Sequence, residues 1–460
     1  MEGFEKVKAF LEEKRDEMVE NLMEFVRIPS VSEDLPEVKK SLRYILDLAD
    51  RFGFSAKAVL DERVGVIEYG EGPETLGILA HVDVVPPGSL EKWIAPPFVP
   101  EVQEGAVWGR GTLDDKGAVI ASLYALRAVV SLGLPFQKKV QIILGTQEEV
   151  EWTDMSDYVK SFPLPEYGFT PDGEFPLCNI EKGIGGVELA FPLQAEPKTP
   201  GACSGKYTLL SIDAGVVNNI IPSSCTARLI LHGPDENDEK EIRLTTDGTS
   251  VHACSPEKGD NAIVNMCKIL KSLPLDDEKA STIVTLIADQ LSDIYCGPIG
   301  VGERLEYYNG EFIHKNCMSP TMIRTVNGEV LLYMDMRIAY STSTEEIIEG
   351  FEKLVGPKGG FVRGNTLEPA TYIDRNLPFM KVFAEAYESA CGLENEFTLA
   401  YGASYAKAMP NIVAWGPVFP GEEDTCHEEN EHISIDSLMS AAGIYGEAIR
   451  QIALSSESFI

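Results

Sequence analysis

The chain has 460 residues and a formal net charge of −34, with 44% hydrophobic and 24% charged residues. That length exceeds what one hydrophobic core usually organises, so two domains are expected, and the apolar fraction excludes a disordered chain. So acidic a surface repels nucleic acid and anionic membranes, which leaves a small molecule or a cation as the natural partner.

The first segment, MEGFEKVKAFLEEKRDEMVENLMEFVRI, lacks the apolar stretch of a targeting signal. It reads as one amphipathic helix with Phe4, Val7, Leu11, Met18, Leu22 and Phe25 on one face. No apolar run approaches the length of a transmembrane helix. The nine cysteines are odd in number and contain no Cys-x-x-Cys pair, which reads as reduced core thiols in a cytoplasmic protein.

Up to about residue 182 helix and strand patterns alternate. VGVIEYG (64–70), LGILA (76–80) and VQIILG (140–145) are β-branched apolar runs, and GAVIASLYALRAVVSLG (117–133) has helical length and period. The pattern predicts an α/β domain whose central sheet carries helices on both faces. Between about 183 and 367 strand-like stretches such as CTARLILHG (225–233) and EVLLYMDMRIAY (329–340) dominate, with helices at NAIVNMCKILKSL and TEEIIEGFEKLV. After 368 the α/β texture returns, with helices near 378–391 and 435–452 and a strand at IVAW (412–415). The simplest organisation is an α/β domain built from 1–182 and 368–460, interrupted by an inserted α+β domain at 183–367.

Ionisable residues collect where those strands end. LGILAHVDVVPPG runs from buried strand into His81 and Asp83, and WGRGTLDDKG sets Asp114 and Asp115 ahead of a helix. VQIILGTQEEVEWTDM places Glu148 and Glu149 just past another strand, and FTPDGEF holds Asp172 in a turn. Taken singly, His81 is a core histidine bonded to Asp83, Asp114-Asp115 a helix cap, Glu148-Glu149 a solvated pair and Asp172 a turn residue. Taken together, carboxylates converging on one sheet edge would repel one another, and a pair of divalent cations removes the conflict.

Here the sequence resembles the di-zinc metallopeptidases that include carboxypeptidase G, the aminoacylases and carnosinase, and among them the PepV-like dipeptidases. The matching segments are AHVDVVPPG, WGRGTLDDKG, the EE of TQEEVEWTDM, TPDGEFP, GTSVHACSPEKGDNA, YGASYAKAMPN and FPGEEDTCHEEN, which follow the family's order across almost the whole chain. The resemblance implies two divalent ions, zinc first and manganese or cobalt as alternatives. His81, Asp114 and Asp172 would hold one, and Asp114, Glu149 and His427 the other, with Asp114 bridging. It further implies a cis peptide after Asp114, an orienting role for Asp83 beside His81, and Glu148 as the general base and acid.

In the inserted domain, a lid by the same resemblance, His252 would polarise the scissile carbonyl. Asn219 would contact substrate, with Asn218 as the competing register. Arg337 would grip the substrate's carboxylate, unless it forms an ordinary strand salt bridge with Asp335. Gly402 and Ser404 match the family's substrate loop, whose second glycine is replaced by Ala403. His432 reads as solvent-facing, and His232 and His314 as structural. The expected activity is hydrolysis of unblocked dipeptides by a monomer, with a homodimer as the alternative. An N-acyl-amino-acid amidohydrolase is the alternative enzyme, and a non-catalytic binding protein is disfavoured because every ligand and the base are present.

Overall fold

A computed structural model describes residues 2–193, 205–234, 238–303, 305–308, 311–400 and 402–460. It divides into two compact units, Met1–Glu181 with Tyr372–Ile460, and Lys182–Thr371. The first is α/β and the second α+β, the fold class expected.

In the first unit a mixed sheet runs in the order Ser55–Val59, Val64–Tyr69, Lys139–Gly145, Thr75–His81, Tyr167–Thr170, Ile412–Ala414 and Cys178–Glu181. Lys139–Gly145, Thr75–His81, Tyr167–Thr170 and Ile412–Ala414 are mutually parallel, so their carboxyl ends share one edge. Thr75–His81 lies inside the sheet and is buried from Leu76 to His81, which explains its unbroken apolar run. Alternate residues feed two cores. Leu76, Ile78 and Ala80 pack with the helices Lys116–Val130 and Ile435–Ala453, while Leu79 packs with Met155, Tyr158 and Tyr405. Helices therefore cover both faces, as the alternation requires.

The N-terminal segment departs from the single helix expected. It forms Glu2–Glu13 and Arg15–Val26, with Lys14 at φ −96° and ψ 4° between them. Breaking at Lys14 lets Phe4, Val7 and Leu11 pack toward Ile435–Ala453 while Met18, Leu22 and Phe25 follow Lys116–Val130; all six are buried. His432 also departs from expectation. The strand His432–Ser434 pairs with Ala106–Trp108, and the imidazole stacks on Trp108 with ring centroids 4.1 Å apart.

The second unit is an antiparallel sheet in the order Glu239–Asp247, Ser224–His232, Tyr207–Ala214, Cys317–Val326, Glu329–Ile338, Gly183–Pro192 and Phe361–Asn365. Helices Ala262–Lys271, Glu278–Asp289 and Thr344–Val355 supply Ile263, Met266, Ile283, Ile347 and Phe351 to its core. Their starts are written locally. Asn261 and Asp277 accept backbone N–H bonds, and Ser343 forms a capping box with Glu346. His232 is bonded to Thr208 and Glu239, a structural role as expected; the side chain of His314 and all of Cys203 lie outside the described residues. Among the described residues no helix is long and apolar enough to cross a membrane.

Candidate active site

His81 closes the strand Thr75–His81 and is fully buried. Its Nδ1 lies 2.9 Å from the Asp83 carbonyl oxygen, so that nitrogen carries the proton and Nε2 is an acceptor. Yet Nε2 faces other acceptors, Asp114 Oδ1 at 2.9 Å and Asp172 Oδ2 at 3.8 Å. Neither His81 Nε2 nor Asp114 Oδ1 has a hydrogen-bond partner, although both are buried. Such an arrangement demands positive charge between the groups, as an added proton or a cation.

The second oxygen of Asp114 meets a second histidine. Asp114 Oδ2 lies 3.0 Å from His427 Nε2, which is also 3.0 Å from Glu149 Oε2. His427 reaches this position from a left-handed backbone conformation, φ 63°. Cys426 completes the group by donating from Sγ to Asp114 Oδ2 over 2.9 Å. The ligand atoms of His81, Asp114 and Asp172 lie within 4.8 Å of one another, and so do those of Asp114, Cys426 and His427.

The single-residue readings give way to this geometry. Asp115 stands at the N-cap of Lys116–Val130 but makes no capping bond; instead Oδ2 accepts the His81 backbone N–H at 3.1 Å. The Asp114–Asp115 peptide is cis. Asp83 is not merely the histidine's neighbour, since its carboxylate accepts from Ser32 Oγ at 2.8 Å and from the backbone N–H groups of Glu148 and Glu149 at 3.2 and 3.3 Å. Asp83 thus fixes the histidine through its carbonyl and the Glu-Glu turn through its carboxylate. Glu148 and Glu149 are no solvated pair: the Glu149 side chain is 6% exposed, and Glu148 Oε1 is buried with no hydrogen-bond partner.

Electrostatics follow from burial and crowding. Burial and then repulsion from Asp114 push Asp172 up to about 8 and Glu149 up to about 7. Burial, with Asp172 next, carries Glu148 well above the carboxylate range. Burial alone would depress both imidazoles, but the neighbouring carboxylates win: Asp114 and Asp83 raise His81 well above its ordinary value, and Asp114 and Glu149 take His427 to about 11. Asp114 is held well below its usual value by the two histidines despite burial.

Beside the cluster lies a cavity of about 460 Å³ whose wall includes Asp114, Asp172, Glu181, Gly402, Ala403 and Cys426. A Cβ added to Gly402 would meet nothing within 4 Å. Ser404 is engaged with the protein, since its hydroxyl donates to Glu181 Oε1 at 2.6 Å and accepts from the Ala406 N–H.

Within the second unit, residues 219–221 pair with 251–253 through Ala253 N to Asn219 O and Ile221 N to Val251 O, which sets Ile220 opposite His252 and Asn219 opposite Ala253. The exposed His252 ring accepts the Cys254 N–H at Nδ1, leaving Nε2–H as an outward donor. Arg337 makes the salt bridge weighed against its binding role, 3.0 Å to Asp335, while its buried Nε has no partner. Burial, and then the Arg337 charge, lowers the His252 pKa.

Sequence reasoning missed several members of this constellation. Glu431, fully buried, ion-pairs with Arg110 at 2.6 Å and accepts the N–H groups of Gly111, Leu113 and Asp114. Cys426 adjoins His427 in CHEENE, and that adjacency was the signal available for it; Glu431, four residues beyond the histidine, had none to set it apart from Glu428 and Glu429. For Asp154, which accepts from Tyr405, Thr146 and Gln147, the sequence offers none.

Two histidine–carboxylate clusters sharing one aspartate at the carboxyl edge of an α/β sheet are the donor set of a two-cation hydrolase. The comparisons agree with that class. The model of peptidase family M20/M25/M40 matches residues 77–451, and the chain belongs to this family. It is 32% identical to the Bacillus subtilis protein named "Putative dipeptidase YtjP", over 96% of this chain and 98% of that one. Among solved structures, it resembles the Saccharomyces cerevisiae di-peptidase Dug1p with a TM-score of 0.61 at 14% identity, covering 99% of each chain. It also resembles the Bacillus subtilis YXEP protein, described as a dinuclear metal binding peptidase, with a TM-score of 0.55 at 10% identity, covering 97% of this chain and 99% of that one.

Proposed function

We propose that this peptidase is a two-cation dipeptidase acting on unblocked dipeptides. The observation that carries the proposal is Asp114, whose two oxygens face one histidine each, His81 at 2.9 Å and His427 at 3.0 Å. We assign His81, Asp114 and Asp172 to one cation, and Asp114, Glu149 and His427 to the other, zinc first with manganese or cobalt as alternatives. When bound, the two cations polarise the scissile carbonyl and lower the pKa of the attacking water.

The chain's own groups do the rest. Glu148 Oε1, buried and without a partner, takes the water's proton and hands it to the leaving amine. Asp83 holds the His81 ring in the tautomer that leaves Nε2 free. The crowd of carboxylates favours a substrate with a protonated α-amine over an N-acylated one. Gly402 and Ser404 are assigned to the substrate loop, with the Ser404 hydroxyl acting while bonded to Glu181. His252, Asn219 and Arg337 are assigned to substrate holding. Their support is the outward Nε2–H of His252, its pairing with the Asn219 loop and the unpaired Nε of Arg337. A cytoplasmic location completes the reading, supported by the free thiols at all eight described cysteines, together with a monomeric state for which a homodimer is the alternative; fractionation and sedimentation test these points.

The central experiment combines metal control with a substrate panel. Chelation should abolish turnover and zinc or manganese restore it, while Glu148→Ala keeps both cations and loses several orders of magnitude in kcat. A free dipeptide should be preferred over its amide, its N-acetyl form and a tripeptide, and Arg337→Ala should weaken kcat/KM by about 2–3 kcal/mol. Preference for the N-acetyl form would instead identify an N-acyl-amino-acid amidohydrolase.

A further inference from the structure

Cys426 is the residue of the site to which the two-cation reading gives no role. Its Sγ lies 2.9 Å from Asp114 Oδ2, the same oxygen that stands 3.0 Å from His427 Nε2. Thiol, carboxylate and imidazole therefore converge, with their ligand atoms within 4.8 Å of one another. At the neighbouring position assigned to the first cation, the other oxygen of Asp114 and the facing His81 Nε2 are buried without hydrogen-bond partners, so the carboxylate that Cys426 touches is itself aimed at a charge the protein does not supply. Zinc binds sulfur at about 2.3 Å and nitrogen or oxygen at about 2.0–2.2 Å, which sets such ligand atoms about 3.4–3.6 Å apart. Cys426 Sγ and His427 Nε2, 2.9 and 3.0 Å from Asp114 Oδ2, reach that spacing by moving outward by about half an ångström. Cys426 also stands on the wall of the cavity, where a solvated cation can reach it.

We infer that Cys426 is a further ligand of the cation held by Asp114, Glu149 and His427, and that its sulfur biases this position toward zinc, cobalt or cadmium over manganese. Binding exchanges the S–H bond for a sulfur–metal bond, and the displaced proton leaves to water. Soft thiolate favours the first three cations, whereas manganese prefers oxygen donors. The inference rests on the proposed two-cation function.

Its test uses the full chain, stripped with chelator and loaded with two equivalents of cobalt(II). Wild type should show a near-ultraviolet sulfur-to-cobalt charge-transfer band. Cys426→Ser and Cys426→Ala should bind two cobalt ions without that band, while Cys254→Ser and Cys391→Ser keep it. Both Cys426 variants should also lose about tenfold or more in affinity for one of the two zinc ions, with manganese affinity changed less than about twofold. Wild type alone gives a further readout: zinc should protect Cys426 from alkylation, read by mass spectrometry, and manganese should not. Two cobalt ions bound to wild type without a sulfur band, a band that survives in both Cys426 variants, or equal alkylation with zinc and manganese would overturn the inference. Failure of wild type to bind two cations would instead overturn the two-cation reading beneath it.

Discussion

At the scale of single residues, Glu431 shows how the site is held in place by a group that touches no substrate. Its carboxylate is spent entirely on Arg110 and on the N–H groups of Gly111, Leu113 and Asp114, so it shapes the loop that aims Asp114 at both histidines. Removing it would strand the 1%-exposed Arg110 and three backbone donors. Glu431→Ala should therefore destabilise the protein by about 3–5 kcal/mol, the usual result of breaking a buried pair from one side. It should also weaken cation binding by about 10–100-fold, as loss of a ligand-orienting partner does. Denaturant melts and metal titration of the same variant read the two effects, and wild-type metal affinity in a destabilised Glu431→Ala would show that the loop does not need it. Glu431→Gln, which keeps the shape but not the charge, should fall between.

At the scale of elements, the ligands are spaced by how closely two strands approach. Gly77 and Gly168 sit opposite each other in the parallel strands that lead to His81 and Asp172. A Cβ on Gly168 would stand 2.0 Å from the Gly77 carbonyl oxygen, a backbone atom that cannot step aside. Gly168→Ala should cost about 1–3 kcal/mol or more by overpacking and lower cation affinity with it. Gly443→Ala, in the helix Ile435–Ala453 where an added Cβ meets nothing within 4 Å, should stabilise by about 0.5–1 kcal/mol. Paired urea melts check the opposite signs. These strands were legible because strands buried on both faces read as unbroken apolar runs. Glu239–Asp247 was not, since it lies at the sheet's edge, largely exposed, with charges on both faces. The pairing of Ala106–Trp108 with His432–Ser434 joins segments more than 300 residues apart, which no local pattern encodes. Of the site, strand-end residues such as His81 were legible because a buried run that ends in ionisable groups is conspicuous. The supporting bonds of Asp115, Glu431 and Cys426 depend on tertiary approach and were not.

At the scale of the whole molecule, a chain of charge −34 gathers several of its carboxylates around one buried point, and cation binding should therefore be linked to stability and pH together. Glu149 at about 7 and Asp172 at about 8 hold protons more tightly in the folded chain than near pH 4, where unfolded carboxylates titrate, and His427 at about 11 does so relative to an ordinary imidazole. Their folded values are all raised, so without cations their contribution is full at low pH; the part due to Glu149 and Asp172 is lost as pH climbs through about 7 and 8, and that of His427 only near 11. Lys116 works the other way. Burial lowers its amine to about 7, so the folded chain binds that proton less tightly and stability rises with pH there. Because Lys116 acts with or without cations, the informative quantity is the difference between zinc-loaded and chelated protein. Cations replace the protons on the carboxylates and His427, so the stabilisation by zinc should grow steadily from about pH 6 to about pH 8.5. Thermal midpoints measured at fixed zinc and fixed chelator across that range provide the check. A difference that stays flat, or shrinks as pH rises, would mean that zinc does not displace protons from this cluster and that the carboxylates around Asp114 are not where it binds.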